Sequence, residues 1–170
     1  LEAIGVDPLK HDLRFVEEKG NVLILGQTGL GKSHLGIALG YAACLGNIWV
    51  KYTTAIDIVN DLYASLSDKT FQVKLAKYIK PRILLIDELG YLPIDKKGAD
   101  AIFQVISKRY ERGSIIVTSN LAFKDWGKIF SDNTTASAIV DRLVHHAEII
   151  KIEGESYRLK EKGKKSLVED

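Results

Sequence analysis

A glycine-punctuated loop that ends in a lysine and a serine lies near the start of the chain. The stretch GQTGLGKS, from Gly26 to Ser33, fits the spacing G-x-x-x-x-G-K-[ST]. It follows the apolar run Val22–Leu25 and opens the helical pattern Lys32–Leu45. Loops of this kind let backbone N–H groups surround phosphate oxygens, and the positive end of the helix adds to the attraction. The stretch therefore predicts a site for nucleotide phosphates.

The residue types in this loop indicate separate roles. Lys32 is expected to contact the β- and γ-phosphates, and the hydroxyl of Ser33 to bind Mg²⁺. We expect the His34 ring to pack within the loop-to-helix turn. The alternative is a glycine-rich turn with a solvated lysine, which the flanking strand and helix disfavour. The predicted nucleotide-binding residues are Gly26, Gln27, Thr28, Gly29, Leu30, Gly31, Lys32, Ser33 and His34.

Polar side chains end two further apolar runs. ILLIDE leads into Asp87 and Glu88, and IIVTSN ends at Asn120. Asp87 is expected to hold the water shell of Mg²⁺ opposite Ser33, while Glu88 orients and polarises an attacking water. Asn120 could contact the γ-phosphate or that water. The alternatives are an ordinary acidic strand end and a turn-forming asparagine. Together with the loop, these residues predict hydrolysis of a nucleoside triphosphate.

Arginines could complete such a site. Arg142, in SAIVDRLVHH, could stabilise charge on the transferred phosphoryl group, which suits a guanidinium. It could equally pair with Asp141 or Glu148 on its own surface. Arg109 and Arg112, in SKRYERGS, are weaker candidates for the same role.

Lysines cluster between Asp68 and Arg82, where a single acid accompanies them. The candidates for DNA contacts are Lys69, Lys74, Lys77 and Lys80. Lys74 and Lys77 are three residues apart, so on a helix they share a face. A solvated helical face is the usual explanation of such a run, and a surface that contacts phosphodiesters is the functional one.

The remaining composition is ordinary for a globular protein, with 46% hydrophobic and 27% charged residues and a net charge of +2. That charge is too small to indicate nucleic acid binding by itself. The single cysteine, Cys44, is expected to be a buried, reduced thiol. No apolar run approaches the ~18 residues of a membrane span, so a cytoplasmic protein is expected. Methionine is absent, even at position 1, which predicts a fragment of a longer protein.

Histidines do not predict a metal site in this sequence. His145 and His146 are adjacent, and neighbours on a helix point about 100° apart. We find no cysteine or histidine at ligand spacing from them. Structural roles are therefore expected for both.

The elements that must position these residues alternate between strand and helix, which predicts a parallel α/β sheet covered on both faces. The expected strands are Val22–Leu25, Ile48–Tyr52, Ile83–Ile86, Ile115–Thr118 and Glu148–Ile152. The expected helices are Leu9–Glu18, Lys32–Leu45, Ala55–Ser65, Phe71–Ile79, Lys96–Tyr110 and Ser137–Val144.

Several motifs together resemble one family, the IstB-like transposase-accessory ATPases. They are GQTGLGKSHLGIALG, LLIDELGYLP, FQVISKRYERGSIIVTSN, DWGKIF, DRLVHH and GESYRL. This family is related to the DnaC-type helicase loaders within the AAA+ superfamily of P-loop NTPases. The resemblance covers residues 20–160. The combination of DELGYLP with RYERGS and TSN is more specific than either phosphate-site motif alone.

The resemblance implies a five-stranded parallel sheet of order 5-1-4-3-2, with a helical insertion between strands 2 and 3 and no lid domain. It makes Gly26–Ser33 the Walker A motif, Asp87 and Glu88 Walker B, and Asn120 sensor 1. Arg142, in the DRL box, resembles an arginine given to a neighbouring subunit's site. Helicase loaders often carry another arginine four positions earlier, where this chain has Ala138.

The expected organisation is an N-terminal remnant (1–20), an AAA+ ATPase domain (21–160) and a frayed tail (161–170). The expected function is that of an ATP- and Mg²⁺-dependent transposition helper. It would assemble head-to-tail as a homo-oligomer on duplex DNA and deliver that DNA to a transposase. A replicative helicase loader that binds single-stranded DNA is one alternative. An ATP-switched scaffold with little hydrolysis is another.

Overall fold

Strands and helices alternate along the chain in a computed structural model, which describes residues 13–67, 69–130 and 132–157. The strands are β1 (Asn21–Gly26), β2 (Val50–Thr54), β3 (Ile83–Leu89), β4 (Ser114–Ser119) and β5 (Ala147–Ile152). The helices are α1 (Arg14–Glu17), α2 (Lys32–Leu45), α3 (Ala55–Ala64), α4 (Phe71–Ile79), α5 (Lys96–Arg109) and α6 (Asn133–Val144), with a 3₁₀ helix at Phe123–Lys128. The predicted helix Leu9–Glu18 lies partly outside the described residues, and the predicted tail (161–170) lies wholly outside them.

The five strands form one parallel sheet in the order β2-β3-β4-β1-β5. Read from the other edge, this is the predicted order 5-1-4-3-2, which is confirmed. Val22 of β1 pairs with Ile116 on one side and with Glu148 on the other. Because all strands run the same way, their carboxyl ends meet at one edge of the sheet. The phosphate loop, Asp87 and Asn120 each follow or end a strand at this edge.

Alternating side chains of the inner strands build two cores. Leu23 and Leu84 face the side covered by α3, α4, α5, the 3₁₀ helix and α6. Their neighbours Val22 and Ile83 face the side covered by α1 and α2. Such strands are apolar on both faces because helices cover both sides of a parallel sheet.

The two edge strands depart from this pattern. Tyr52 in β2 is 50% exposed and Ile149 in β5 is 48% exposed. The prediction that strands are apolar on both faces therefore holds for β1, β3 and β4 only. An edge strand needs fewer buried side chains because part of its surface faces solvent.

Side-chain caps explain where two helices begin. Helix α6 starts at Asn133, four residues before the predicted Ser137, because the Asp132 carboxylate accepts from the backbone N–H groups of Thr134 and Thr135. Helix α3 starts at Ala55 as predicted, where the Thr54 hydroxyl accepts from the backbone of Asp57. The 3₁₀ helix was not predicted from the sequence.

Helices α3 and α4 form the predicted insertion between β2 and β3, and Arg109 ties this insertion to the sheet. The Arg109 side chain is 1% exposed. Its guanidinium donates to the backbone carbonyls of Tyr78, Ile79, Pro81, Arg82 and Ser114. Burial lowers the pKa of Arg109 to about 10. A guanidinium held in this way cannot reach another subunit, so the candidacy of Arg109 for that role is wrong.

The prediction that Cys44 is buried is also wrong, since its side chain is exposed. Helix α2 buries Leu35, Leu39 and Ala43, which recur every four residues. Cys44 follows Ala43 by one residue, about 100° around the helix, and so turns to solvent.

Among the described helices, none has the length and apolar character to cross a bilayer.

Candidate functional site

The phosphate loop connects β1 to α2 as predicted, and backbone conformation and, at Gly29, close packing account for its glycines. Gly29 and Gly31 have φ angles of 85° and 84°, in the left-handed region that favours glycine. A Cβ at Gly29 would overlap the hydroxyl oxygen of Ser156. The segment after β5 therefore lies directly against the loop, and the backbone of Tyr157 donates to the Gly29 carbonyl over 3.0 Å.

Lys32 opens helix α2, and its ammonium turns back over the loop. The Nζ atom donates to the Gln27 carbonyl oxygen at 2.7 Å. This contact holds the positive charge above the loop, whose backbone N–H groups and helix N-terminus favour anions. The arrangement can therefore attract phosphate oxygens.

Asp87 lies at the end of β3 with only 3% of its surface exposed. Its Oδ1 accepts from the Ser33 hydroxyl at 2.9 Å, and its Oδ2 accepts from the Tyr52 hydroxyl at 2.9 Å. The hydroxyl of Thr118, from β4, also donates to Oδ1. The loop and the carboxylate thus meet directly, and the roles of Ser33 and Asp87 at a metal ion stay predictions.

Sequence reasoning missed two members of this cluster, Tyr52 and Thr118. Partial desolvation of its half-exposed side chain, followed by the hydrogen bond and negative charge of Asp87, raises the pKa of Tyr52 to about 12. Tyr52 therefore stays protonated and donates throughout the physiological range. A signal for Thr118 was present, because it lies in the strand end IIVTSN that also contains Asn120.

Glu88 is turned out of the regular strand. Its φ angle is 61°, a left-handed conformation that is costly for a residue with a side chain, by about 1 kcal/mol or more. The pairing of β3 with β4 shifts register between Ile86 and Leu89, and the Glu88 backbone donates to the Thr118 hydroxyl at 3.0 Å. Asp87 stays buried, while Glu88 is exposed to the cleft.

The predicted loop, Glu88 and Asn120 line a single cleft of about 740 Å³. Loop residues on its wall include Thr28, Gly29, Leu30, Gly31, Lys32, Ser33 and His34. Four residues not assigned from the sequence also line it, namely Tyr91, Thr118, Ser119 and Tyr157. His34 is exposed here and does not pack in the turn as expected. Gly26 and Gln27 line a neighbouring apolar cavity instead.

The oxygen donors at the base of this cleft suit Mg²⁺. Ser33 offers a hydroxyl and Asp87 a carboxylate, and both are hard oxygen ligands. A hydrogen bond of 2.9 Å joins these two groups, so Ser33 could bind the ion while Asp87 accepts from its water shell. The donor set therefore fits the magnesium ion predicted from the sequence.

Arg142 lies on α6 and contacts its own subunit. Its guanidinium donates to the Ala138 carbonyl at 2.9 Å and lies 4.9 Å from the centre of the Phe103 ring. These contacts differ from the predicted pairing with Asp141 or Glu148. The side chain is half-buried, whereas Arg112 is exposed.

The lysines of the insertion divide into two groups. Lys74 is half-buried, and its ammonium pairs with Asp61 at 2.5 Å, which removes it from the predicted DNA-contacting face. Lys69, Lys77 and Lys80 are exposed. The spacing of three residues predicted a shared face for Lys74 and Lys77, but Lys74 turns towards α3 because Asp61 lies there.

His145 and His146 do not point apart as predicted. Their ring centres are 4.0 Å from each other, and His146 Nε2 lies 3.7 Å from the Glu111 carboxylate. His145 is the C-cap residue that follows α6, so the side-chain spacing of a continuous helix does not apply to the pair. The Tyr110 hydroxyl and His145 Nδ1 are 2.7 Å apart.

A phosphate loop and a carboxylate pair at the carboxyl edge of a β2-β3-β4-β1-β5 parallel sheet are the features of the P-loop fold of the AAA+ class. Solved structures agree on the fold. The DnaC helicase loader aligns with a TM-score of 0.65 and 20% identity, over 89% of this chain and 87% of that one. The replication initiator DnaA bound to AMPPCP and single-stranded DNA aligns with a TM-score of 0.70 and 23% identity, over 93% and 49%.

Within that class the chain belongs to the IstB-like ATP binding protein family, whose family model matches residues 5–165. A relative from Geobacillus stearothermophilus, described as an ATP-binding protein of insertion sequence IS5376, is 45% identical over 150 residues. The match covers 88% of this chain and 60% of that protein, so the chain spans about three fifths of the relative's length. The resemblance stated from the motifs is confirmed.

Proposed function

We propose that this chain is the ATP-hydrolysing domain of a DNA transposition helper. The observation that supports this most strongly is the 2.9 Å contact between Ser33 and Asp87. It joins the phosphate loop to the carboxylate strand in one cleft, with Glu88 and Asn120 on its wall. Family membership and relatives described as insertion-sequence proteins support the link to transposition.

In this proposal each residue of the cleft has a distinct task. Lys32 and the loop backbone bind the phosphates, while Ser33 and Asp87 hold Mg²⁺ and its water shell. Mg²⁺, when bound, supplies positive charge that stabilises the phosphoryl oxygens as the bond to the leaving group breaks. Glu88 accepts hydrogen bonds from the attacking water and so orients and polarises it. Asn120 holds the γ-phosphate or the water in line.

Assembly completes the proposed activity. Arg142 would be released from the Ala138 carbonyl and stabilise phosphoryl charge in the next subunit of a head-to-tail homo-oligomer. The exposed Lys69, Lys77 and Lys80 would contact the phosphates of duplex DNA. The assembled protein would present this DNA to its transposase, and ATP hydrolysis would end the assembly.

The replacement Glu88→Gln tests the hydrolytic part. Glutamine keeps the size and hydrogen bonding of the side chain but polarises water poorly, so ATP binding should persist while turnover falls by roughly 10²-fold or more. Glu17→Gln, at an exposed acid on α1, is the matched control. Unchanged turnover in Glu88→Gln would remove Glu88 from its proposed role.

Oligomer size tests the assembly part. Sedimentation with ATP, ADP or a non-hydrolysable analogue, each with and without duplex DNA, should show larger species only with the triphosphate forms. A mass that does not depend on the nucleotide would contradict nucleotide-driven assembly.

A helicase loader is the second candidate, because the DnaC structure matches nearly all of both chains. The two candidates differ in their DNA. Tighter binding to duplex than to single-stranded DNA of equal length favours the transposition helper, and the reverse favours the loader. If the protein is instead an ATP-switched scaffold with little hydrolysis, turnover in the wild-type protein should be as low as in Glu88→Gln.

A further inference from the structure

Two exposed tyrosines flank the nucleotide cleft, and neither has a role in the chemistry described above. Tyr157 is 66% exposed and Tyr91 is 62% exposed, and both line the same cleft as the phosphate loop. An exposed aromatic ring beside a ligand cleft offers a flat apolar surface on which a planar group can stack. Their positions relative to the loop distinguish the two rings.

Tyr91 belongs to the end of the cleft where the phosphates react. Its backbone N–H donates to the Glu88 carbonyl at 3.2 Å, which keeps it next to the residue proposed to orient water. A bound nucleotide has its γ-phosphate at this end. The base is at the opposite end of the nucleotide and must leave the loop away from Glu88.

Tyr157, in contrast, is joined to the phosphate loop itself and not to Glu88. Its backbone N–H donates to the Gly29 carbonyl at 3.0 Å, and the preceding Ser156 fills the space that a side chain at Gly29 would need. The carbonyl of Ile152 closes in on Gly26 in the same way. The backbone of residues 152–157 is thus fixed against the loop, while the Tyr157 ring stays exposed.

We propose that the Tyr157 ring stacks on the base of the bound nucleotide and forms the wall of a nucleobase subsite. This inference rests on the proposed nucleotide binding and adds Tyr157 as the residue that contacts the base. Stacking on an aromatic face works for every base. Purines offer two rings and so more contact area, and they are the class of base that this subsite favours.

Two ligands distinguish stacking of Tyr157 on the base from support of the phosphate loop by residue 157. ATP carries a base, whereas inorganic tripolyphosphate presents the same phosphates without one. Calorimetry should show that Tyr157→Ala weakens ATP binding by roughly 5- to 150-fold, the range for loss of one stacked base. Tripolyphosphate affinity should not change, and Tyr157→Phe should retain the wild-type affinity for both ligands. Tyr41→Ala, at a 64% exposed tyrosine on α2, is the matched control.

Three results would contradict the nucleobase subsite at Tyr157. Equal loss of ATP and tripolyphosphate binding in Tyr157→Ala would show that residue 157 only supports the loop, and would overturn the subsite. So would unchanged ATP binding in Tyr157→Ala, or a loss in Tyr157→Phe as large as in the alanine variant. A wild-type protein that binds neither ligand would instead overturn the proposed nucleotide function itself.

Discussion

The Tyr52 hydroxyl donates to Oδ2 of Asp87 at 2.9 Å, from the neighbouring edge strand of the sheet. The other carboxylate oxygen is held by Ser33 and Thr118. Asp87 is therefore fixed on both sides, and only Ser33 among its partners belongs to the phosphate loop. Tyr52 acts on the proposed metal site through Asp87 and is a positioning residue.

Tyr52→Phe should weaken Mg²⁺ binding, so that turnover requires more Mg²⁺, without changing ATP binding in the absence of Mg²⁺. One lost hydrogen bond is worth about 1 kcal/mol, which predicts an increase of roughly fivefold in the Mg²⁺ concentration at half-maximal turnover. Magnesium titrations of ATPase rate give this value. Tyr41→Phe is the control, and an identical titration curve for Tyr52→Phe and wild type would contradict the positioning role.

Arg142→Ala should spare nucleotide binding and reduce turnover by roughly 10³-fold or more if the side chain acts on the next subunit. The loss of a surface ion pair alone would cost only about 1 kcal/mol, which is too little for such a loss of turnover. Mixing Arg142→Ala with Lys32→Ala subunits should restore part of the ATPase rate, because some junctions then pair an intact loop with an intact arginine.

The mixing result depends on assembly, so mixed oligomers must be detected in the same samples, for example by native mass spectrometry. If they form and the mixture stays as inactive as its parents, Arg142 acts within its own chain. Arg112, which is exposed, would then be the better candidate, since Arg109 is buried.

Replacing Lys77 and Lys80 together by alanine should weaken binding to duplex DNA irrespective of its sequence. Each phosphate contact contributes about 0.9 to the slope of log affinity against log salt, so the slope should fall by about two. Fluorescence anisotropy over a salt series measures it. Lys97→Ala with Lys108→Ala removes the same charge from exposed positions on α5, and an equal effect of both pairs would indicate general attraction only.

Arg109→Lys should destabilise the fold even though the charge is retained. An ammonium has three donors and cannot satisfy the five carbonyls that the guanidinium reaches, so buried acceptors lose their partners. Loss of two such bonds predicts a decrease of about 2–5 kcal/mol in the free energy of unfolding, measured by urea titration. Arg112→Lys should change it by less than about 0.5 kcal/mol, as for an exposed residue. Comparable small effects in both variants would refute the structural role.

The phosphate loop could be predicted from the sequence because its chemistry is local. Spacing within Gly26–Ser33 defines it, and the apolar runs around it define the parallel sheet. Tyr52 could not be predicted, since its contact with Asp87 depends on the register that pairs Thr54 with Asp87. Arg109 was misjudged for a similar reason, because its carbonyl partners are 27 to 31 residues away for all but Ser114. Contacts that depend on strand register or on where helices end cannot be predicted from the spacing of residues within a motif.

The position of β1 within the sheet has a consequence for how the protein is made. This strand leads into the phosphate loop and is the first of the five strands to be synthesised, yet the strands that flank it, β4 and β5, are the last two of the five. Until Ala147–Ile152 has been translated, one hydrogen-bonding edge of a strand with two apolar faces is open. We infer that a shorter nascent chain neither folds stably nor retains ATP, and protease resistance of chains that end before and after β5 would reveal this. On this inference, the phosphate loop can function only after β5 has been translated.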